Sequence, residues 1–249
     1  MKRVVPGIHS VAEVLKVRPS KIQEIWFREG DLNGELEELF AQARGGKIKV
    51  KRVAQRSLDH QIHSHQGVIA FVEGEPPWPS SGELRKDQDC LIYALDGFED
   101  PHNVGSLMRS AWNLGARGVI VPKDNSAGGA PAAQKVATGA FEHVAYAEVA
   151  NLSAELISLK ELGFWVYGLS ETGQSIFKTD FAPKAVLVVG SEESGLRKPV
   201  LGACDALVGI PSSPSASSFN ASVAGALAGF EFSRQRNLSQ RLKNSTEKI

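Results

Sequence analysis

The chain has 249 residues, 42% of them apolar, and its 28 Lys and Arg balance 28 Asp and Glu, so that the formal net charge is zero. This length and apolar content predict one large or two modest folded domains, and the charge excludes any simple argument that a basic protein binds nucleic acid. No apolar run approaches the length of a membrane span, and the start lacks the apolar stretch of a signal peptide. We therefore expect a cytoplasmic protein with no membrane partner.

The cysteines and the clustered histidines are the first candidates for redox or metal chemistry. Cys90 and Cys204 each stand alone in an apolar context, which predicts buried, reduced thiols rather than a disulfide or a C-x-x-C site. His60, His63 and His65 lie close together in the sequence, but no cysteine or carboxylate cluster accompanies them. A loop near RNA is the better interpretation of this spacing, and no metal site is predicted.

Residues 1–73 alternate short strand patterns with helical ones. The predicted strands are residues 22–27, 47–53 and 67–72, and the predicted helices are residues 11–17 and 34–43. The segment carries 12 Lys and Arg against 9 Asp and Glu. This pattern predicts a small α/β domain, and its mild basic bias permits contact with RNA.

The strand predicted over residues 47–53 has the most distinctive charge pattern. Lys47, Lys49 and Lys51 alternate with aliphatic residues, so a period of two would place three ammonium groups on one face. Two interpretations remain open, a solvated strand face or a surface that contacts RNA phosphates. The candidate RNA-binding residues are Lys47, Lys49, Lys51, Arg52 and His65.

Residues 74–90 separate this domain from a second one over residues 91–249. Three prolines, two serines and two glycines precede a stretch of mixed charge. Such a composition continues neither a helix nor a central strand, so we predict an interdomain linker.

In the second domain, buried-strand patterns alternate with helical ones. The predicted strands are residues 91–95, 118–121, 164–169, 185–189 and 206–210, and helices are predicted to begin near Asn103, Pro131, Ser153, Gly195 and Ser218. This order predicts a mostly parallel sheet covered by helices on both faces. In such sheets, ligands bind beyond the carboxyl ends of the strands.

Three loops at those strand ends carry the unusual residues. In the first, Asp100 and Pro101 predict a helix start, and Arg109 lies where a phosphate or carboxylate can be bound. In the second, Gly190 allows close backbone approach to a ligand, but the loop is acidic and has neither a phosphate-loop nor a G-x-G-x-x-G pattern. The third is Ser-rich and leads into a helix of small residues, which can pack very close to its neighbours.

Taken in order, the segments DPHNVGSLMRSAWNLGA, GSEESGL and IPSSPSASSFNASVA resemble motifs one to three of the SPOUT superfamily. They are similar to its TrmH branch, which methylates ribose 2′-hydroxyls of ribosomal and transfer RNA. The segments PGIHSVAEVL and HQGVIA resemble a ribosomal-protein-like RNA-binding domain. The resemblance covers nearly the full chain and implies an α/β fold. Its C-terminal part would be a trefoil-knotted, mostly parallel sheet, an exception to the rule against knots, and a small α/β RNA-binding domain would precede it.

The resemblance also implies an activity and a site. It implies S-adenosylmethionine-dependent methyl transfer to a ribose 2′-hydroxyl, with a guanosine in 23S rRNA as the target, by a homodimer. The implied catalytic residues are Asn103, Arg109, Glu192, Ser218 and Asn220. The implied cofactor-binding residues are Leu169, Gly190, Ile210, Pro211 and Phe219.

The role of Arg109 is open at this site, and the sequence departs from the resembling motifs at two residues. Arg109 is either the general base or an electrostatic clamp; a guanidinium stays protonated in proteins, which argues against the base, but both roles remain open. Pro214 stands where relatives commonly have Gly, which stiffens the third loop. Phe219 stands where relatives commonly have Leu, and its ring would crowd or stack on the adenine.

Two alternative functions remain. One is the same chemistry on tRNA, against which the separate N-terminal domain argues. The other is a catalytically silent RNA-binding or ribosome assembly factor, against which the complete set of polar residues argues.

Overall fold

The computed structural model describes residues 2–62, 65–124, 126–127, 129–213, 215 and 218–236, which form two β-sheets and nine α-helices. The strands are β1 (Lys2–Pro6), β2 (Ile22–Arg28), β3 (Val50–Val53), β4 (Val68–Glu73), β5 (Cys90–Asp96), β6 (Gly118–Pro122), β7 (Ala145–Val149), β8 (Trp165–Ser175), β9 (Lys184–Gly190) and β10 (Ala206–Gly209). The helices are α1 (Ile8–Val17), α2 (Glu35–Gly45), α3 (Gln55–Gln61), α4 (Ser81–Lys86), α5 (Pro101–Asn113), α6 (Pro131–Val136), α7 (Leu152–Glu161), α8 (Lys198–Ala203) and α9 (Ala221–Arg236). In this described part of the chain, no helix is long and apolar enough to cross a membrane. His63 and Pro214 lie outside the described residues.

The first sheet has the strand order β1-β4-β2-β3. Strand β4 runs antiparallel to β1 and β2, and β3 runs parallel to β2. Helices α1 and α2 pack on one face through Val11 and Leu39, and α3 packs on the other through Leu58. The sequence patterns find β2, β4, α1 and α2 but miss β1 and α3, because these short elements show no clear periodicity.

Strand β3 is shorter than the lysine pattern indicates. It begins at Val50, whereas Lys47 has a φ of 58° and lies in the turn that follows α2. The N–H of Ile48 donates to the carbonyl of Ala43 at 3.0 Å, which closes that turn. The prediction of a strand face with three lysines is therefore wrong, because the chain must leave the helix before it can enter the sheet.

The second sheet has the order β10-β8-β9-β5-β6-β7, and every neighbouring pair is parallel. Alternate residues of β5 belong to different cores, since Tyr93 packs in one hydrophobic cluster and Ile92 in the other. The predicted parallel sheet, buried on both faces, is confirmed. Strand β7 is missed because its sequence, AYAEV, is neither a continuous apolar run nor a clear alternation.

The two last predicted helix starts are early by three residues. Helix α8 begins at Lys198 because Gly195, with a φ of +64°, first closes a tight turn back onto Ser191. Helix α9 begins at Ala221 because Asn220 caps it, as described below.

The predicted linker contains a short helix that the sequence patterns did not indicate. The Oγ of Ser80 accepts a hydrogen bond from the N–H of Glu83 at 3.3 Å, and the N–H of Ser80 donates to Glu83 Oε2 at 2.8 Å. This reciprocal capping box starts α4 directly after the prolines. A Cβ at Gly118 would overlap the ring of Trp78, so the residues before α4 pack tightly on the second sheet.

Both cysteines are free thiols, as predicted, with Cys90 buried and Cys204 half-buried. Burial raises the pKa of the Cys90 thiol to about 12 and that of the Cys204 thiol to about 11. Because the thiolate is the nucleophilic form, neither residue is poised for covalent chemistry at neutral pH.

Helix α9 packs as closely as its small residues predict. The Oη of Tyr93 donates to the carbonyl of Gly225 at 3.1 Å. A Cβ at Gly229 would overlap the same hydroxyl oxygen. Glycine is therefore required at residue 229 because the buried tyrosine occupies the space of a side chain.

We expect Gly229→Ala to lower the free energy of unfolding by about 1–3 kcal/mol, the usual cost of overpacking a core. Chemical denaturation measures the change. The control is Gly82→Ala in α4, where a Cβ would meet nothing within 4 Å and stability should hold or rise slightly. Adding Tyr93→Phe to Gly229→Ala should recover part of the loss. Equal stabilities of the wild type and Gly229→Ala would contradict the packing argument.

Candidate active site

The carboxyl ends of β5 and β9 lie side by side in the second sheet. Asp96 and Gly190 are partners at the last position of their register. Loop 1 (residues 97–100) and loop 2 (residues 191–197) therefore leave the same edge of the sheet. Loop 3 follows β10 and leads into α9, and its described residues (210–213, 215 and 218–220) include several that line the cavity at the same place. The three motif loops predicted from the sequence thus meet at one site.

Three of the predicted polar residues form a closed network. The Nδ2 of Asn103 donates to Glu192 Oε1 at 2.8 Å. The Nδ2 of Asn220 donates to the Oδ1 of Asn103 at 2.9 Å and to Glu192 Oε1 at 2.5 Å. Hydrogen bonds to a carboxylate are about twice as strong as neutral ones. Glu192 therefore orients two amides that lie 117 residues apart in the chain.

The cap of α9 decides which way the Asn220 amide points. Its Oδ1 accepts hydrogen bonds from the N–H of Ser222 at 3.0 Å, from the Oγ of Ser222 at 2.6 Å and from the N–H of Val223 at 3.3 Å. Because these groups require an acceptor, the amide nitrogen must face Glu192. The helix cap and the network thus fix one orientation together.

An ion pair between a buried aspartate and an exposed arginine, which the sequence patterns do not indicate, supports loop 2. Asp96 is fully buried at the end of β5, and its Oδ2 accepts a hydrogen bond from the N–H of Arg197 at 2.8 Å. Its Oδ1 accepts one from the Nε of Arg197 at 2.6 Å. A buried charge is tolerated when it is paired and hydrogen-bonded. The only sign of this ion pair in the sequence is Asp96 itself, an acidic residue at the end of an apolar run.

A cavity of about 490 Å³ lies between loop 2, loop 3 and the end of β8. Small-molecule sites typically occupy about 300–1,000 Å³. Of the predicted cofactor residues, Leu169, Gly190, Ile210 and Phe219 line the cavity, whereas Pro211 is not among the described residues that line it.

The first cavity fits the predicted cofactor. The side chains of Leu169, Ile210 and Phe219 supply apolar surface for an adenine ring, and Glu192 supplies negative charge for a cationic group. A Cβ at Gly190 would lie 2.5 Å from the carbonyl oxygen of Gly195. Only glycine at residue 190 therefore permits loop 2 to fold back and form this wall.

A second cavity of about 630 Å³ adjoins the first. The two share five residues, which are Ser191, Glu192, Ser194, Gly195 and Ala221. Asn103 and Asn220 line the second cavity, so the polar network stands between the two spaces. This arrangement can hold two molecules with their reacting atoms next to Glu192.

The remaining two predicted catalytic residues occupy different places. Ser218 lines the first cavity. Arg109 is exposed on α5 and is not among the described residues that line either cavity. It lies six residues beyond Asn103, which corresponds to about 9 Å along the helix axis.

Two candidate RNA-binding lysines are paired inside the N-terminal domain. The Nζ of Lys51 lies 2.8 Å from Glu24 Oε2, and the Nζ of Lys49 lies 3.5 Å from the same oxygen. The hydrogen bond from Lys51 holds the pKa of the Glu24 carboxyl below its usual value. Arg52 donates from its Nε to the carbonyl of Arg28 at 2.9 Å. Three of the positively charged side chains that the sequence pattern assigned to RNA binding therefore already have partners within the domain.

The placement of His65 corrects its prediction as a surface residue. Its ring is 2% exposed, its Nε2 lies 3.0 Å from Asp59 Oδ1, and its Nδ1 accepts a hydrogen bond from the N–H of Gly67 at 2.9 Å. This pattern requires the proton on Nε2. His65 supports the entry to β4, and its ring offers almost no accessible surface to an RNA.

The described residues contain no group of three or more His, Cys, Asp and Glu that could hold a metal ion.

Comparisons with known proteins agree with this geometry. The SpoU rRNA Methylase family matches residues 91–230, and the RNA 2'-O ribose methyltransferase substrate binding family matches residues 4–78. The chain is 38% identical to the 23S rRNA (guanosine-2'-O-)-methyltransferase RlmB of Pseudomonas putida, over 94% of this chain and 97% of that relative.

Two solved structures extend the comparison. The SpoU methyltransferase AviRb from Streptomyces viridochromogenes, in complex with AdoMet, has a TM-score of 0.78 at 26% identity and covers 94% of this chain and 90% of its own. A structure that concerns 2-OH methylation of C/U34 on tRNA has a TM-score of 0.55 at 26% identity, and covers 60% of this chain and 98% of its own.

The fold and the site define an RNA 2′-O-ribose methyltransferase that uses S-adenosylmethionine. The chain belongs to the SpoU rRNA methylase family. The resemblance carried by the three motifs is thereby confirmed, together with the reaction class and the cofactor.

Proposed function

We propose that this enzyme methylates the ribose 2′-hydroxyl of a guanosine in 23S rRNA. The observation that carries the proposal is the match to the Pseudomonas putida enzyme of that description, which extends over 94% of the chain. The structure concerned with tRNA covers 60% of the chain, less than the two family matches span together. The additional N-terminal domain therefore favours a ribosomal substrate over a transfer RNA.

Residues of the first cavity would hold the cofactor. Leu169, Ile210 and Phe219 would enclose its adenine, and Gly190 would let the backbone approach it closely. When bound, S-adenosylmethionine supplies a methyl group on a positively charged sulfonium. The carboxylate of Glu192, shared by both cavities, favours a cation at their junction.

The target nucleoside would occupy the second cavity. Asn103 and Asn220, oriented by Glu192, would hold its ribose, and Ser218 would align the cofactor from the opposite side. The 2′-hydroxyl becomes a good nucleophile only as its proton leaves, and with Arg109 protonated that proton would pass to solvent water. Arg109 would bind an adjacent RNA phosphate and stabilise the charge that develops on that oxygen.

We also propose that the C-terminal domain is knotted. The register between β8 and β10 jumps, since Leu207 pairs with Gly168 and Val208 pairs with Gln174. Residues 169–173 of β8 are therefore left out of the pairing with β10. A Cβ at Gly173 would lie 2.5–2.6 Å from backbone atoms of Leu207 and Val208. Such close passage of one segment against the bend of another supports a threaded chain.

A homodimer is the assembly that we propose. Val223, Leu227 and Phe230 on α9 are exposed large apolar residues. Their spacing of four and three residues places them on one face of the helix. An exposed apolar stripe of this kind marks a protein–protein contact, and a two-fold dimer is the commonest closed assembly.

The domain assignment that fits this function is an RNA substrate-binding domain over residues 1–73, a linker over residues 74–90 and a methyltransferase domain over residues 91–249. We place the activity in the cytoplasm, where a bacterial ribosomal RNA substrate is made. In the N-terminal domain Lys47, Lys49, Lys51 and Arg52 remain the proposed RNA contacts.

Methyl transfer from labelled cofactor to unmodified 23S rRNA and to unmodified tRNA tests this function. Label in a guanosine ribose of 23S rRNA, with none in tRNA, is the expected result. Label in tRNA alone would establish the tRNA alternative. No transfer to either RNA, together with no binding of the cofactor, would leave the silent RNA-binding or assembly factor.

A further inference from the structure

A buried carboxylate joins the two domains. Glu142 lies in the short helical turn after α6, and its side chain is 1% exposed. Arg18 donates from Nη1 to Glu142 Oε2 at 3.1 Å, and Arg3 donates from Nη2 to Glu142 Oε1. Both oxygens of a methyltransferase-domain carboxylate are therefore held by arginines of the N-terminal domain. A buried charge of this kind is stable only with its partners in place.

The same two arginines also hold the start of the linker. Arg3 donates from Nε to the carbonyl of Gly74 at 2.9 Å, and Arg18 donates from Nη2 to the carbonyl of Glu73 at 3.1 Å. Arg3 also donates a hydrogen bond from Nη1 to Gln134 Oε1 on α6 at 3.3 Å. These hydrogen bonds hold the end of β4 and the first residue of the linker at a fixed position against the methyltransferase domain.

A second contact lies beside the first. The Nε2 of His143 is 2.8 Å from Glu13 Oε2 on α1. One face of the His143 ring stacks on the ring of Trp112 in α5, with the ring centroids 4.1 Å apart and the planes inclined by 12°. Gly139 has a φ of +94°, and a Cβ there would lie 2.7 Å from the Cβ of Glu13. Helix α1 thus approaches this turn as closely as a glycine permits.

Helix α6, which leads into the turn that holds the N-terminal domain, packs closely against α5. A Cβ at Gly105 would lie 2.5 Å from the carbonyl oxygen of Ala133 on α6. Helix α5 carries Asn103 in the polar network and Arg109 two turns further on. A continuous series of contacts therefore connects the N-terminal domain to α5, the helix that bears the proposed catalytic residues.

We propose that Glu142 is a positioning residue for RNA methylation. Through Arg3 and Arg18 it fixes the RNA-binding domain relative to α5, so that RNA held by the first domain meets the methyl-transfer site at a set distance. The inference rests on the proposed function, because it requires an RNA that both domains contact. Fixing two binding units relative to each other raises the effective concentration of one site for RNA bound at the other.

The test is Glu142→Gln in the full-length protein, which keeps the side-chain shape and removes the charge. We expect the KM for 23S rRNA to rise about tenfold through lost preorganisation. The kcat should stay within about twofold, and the dissociation constant of the cofactor should be unchanged, because the polar network is untouched. Small-angle scattering should show a broader distribution of interdomain distances.

Arg3→Gln combined with Arg18→Gln should reproduce the KM effect, and adding Glu142→Gln should add nothing, because residues that act through one contact are not additive. The triple variant, in which no side chain of this contact is charged, serves if Glu142→Gln fails to fold. Asp180→Asn is the matched control: it removes one charge from an exposed pair with Arg236 at 3.7 Å and should change neither readout.

The outcomes separate this inference from the proposed function. An unchanged KM in Glu142→Gln, with a wild type that methylates 23S rRNA, overturns the positioning role alone. A parallel loss of kcat, cofactor affinity and thermal stability also overturns it, since it indicates general damage. If the wild type methylates no ribosomal RNA, the proposed function fails, and unchanged scattering of the variants would then overturn the domain contact as well.

Discussion

Arg109→Ala is expected to lower the kcat for methyl transfer by about a hundredfold to a thousandfold, the usual loss when a group that stabilises developing charge is removed. Arg109 is exposed on α5, so that the loss of its side chain leaves the hydrophobic core untouched. Arg109 is not among the described residues that line the cofactor cavity, so the dissociation constant of S-adenosylmethionine should stay the same. Single-turnover transfer to RNA and calorimetric titration of the cofactor measure the two quantities.

Arg117→Ala is the matched control for this variant. Arg117 is also an arginine of the methyltransferase domain, and it contacts Glu83 and Asp87 at 3.6 Å, away from the site. It should retain full activity. Retention of normal kcat by Arg109→Ala would contradict the catalytic role.

Arg109→Lys distinguishes a clamp from a general base. A lysine keeps the positive charge but loses the two-pronged geometry, so a clamp should retain part of the rate with an unchanged pH profile. If Arg109 accepts the proton, the pH–rate profile should move to lower pH, because the pKa of lysine is about two units or more below that of arginine.

Gly190→Ala is expected to weaken cofactor binding by at least about a hundredfold, since displacement of a pocket wall removes most of its contacts at once. The added Cβ would lie 2.5 Å from the carbonyl oxygen of Gly195 and 2.7 Å from the nitrogen of Leu196. Both are backbone atoms, so a rotamer change cannot relieve the clash, and loop 2 must move. At a cofactor concentration about ten times the wild-type dissociation constant, methyl transfer should fall to about a tenth of the wild-type rate or less, in proportion to occupancy.

Gly202→Ala is the control for this substitution. Residue 202 lies in α8, close in sequence to loop 2, and a Cβ there would meet nothing within 4 Å. This variant should bind the cofactor normally. Thermal melting of Gly190→Ala shows whether the sheet persists; a folded variant with normal cofactor affinity would refute the assignment of Gly190 to the cavity wall.

The second domain was largely predictable from local patterns. Apolar runs such as residues 91–95 and 185–189 are buried from both sides in a parallel sheet, and so they carry no polar alternation. Asp100 and Pro101 mark the start of α5 because capping depends on neighbouring residues alone. The motif resemblance added Asn103, Glu192 and Asn220, which the structure brings into one network.

Features that depend on distant residues escaped prediction. The pattern of Lys47, Lys49 and Lys51 satisfied a strand rule, but the turn after α2 removes Lys47 from the sheet. His65 looked like a loop residue because nothing near it in sequence shows that Asp59 and Gly67 enclose it. The linker helix α4 was missed since the prolines before it outweighed a capping box of two residues.

The sequence by itself determined the order of strands and helices, the sites where loops carry function and, through three motifs, the reaction class. The tertiary structure alone decided how those loops meet, which way the Asn220 amide points and which arginines hold Glu142. The physical reason is the range of the interactions. Periodicity and caps act within a few residues, whereas the pairs Asp96–Arg197 and Arg3–Glu142 join residues more than a hundred positions apart.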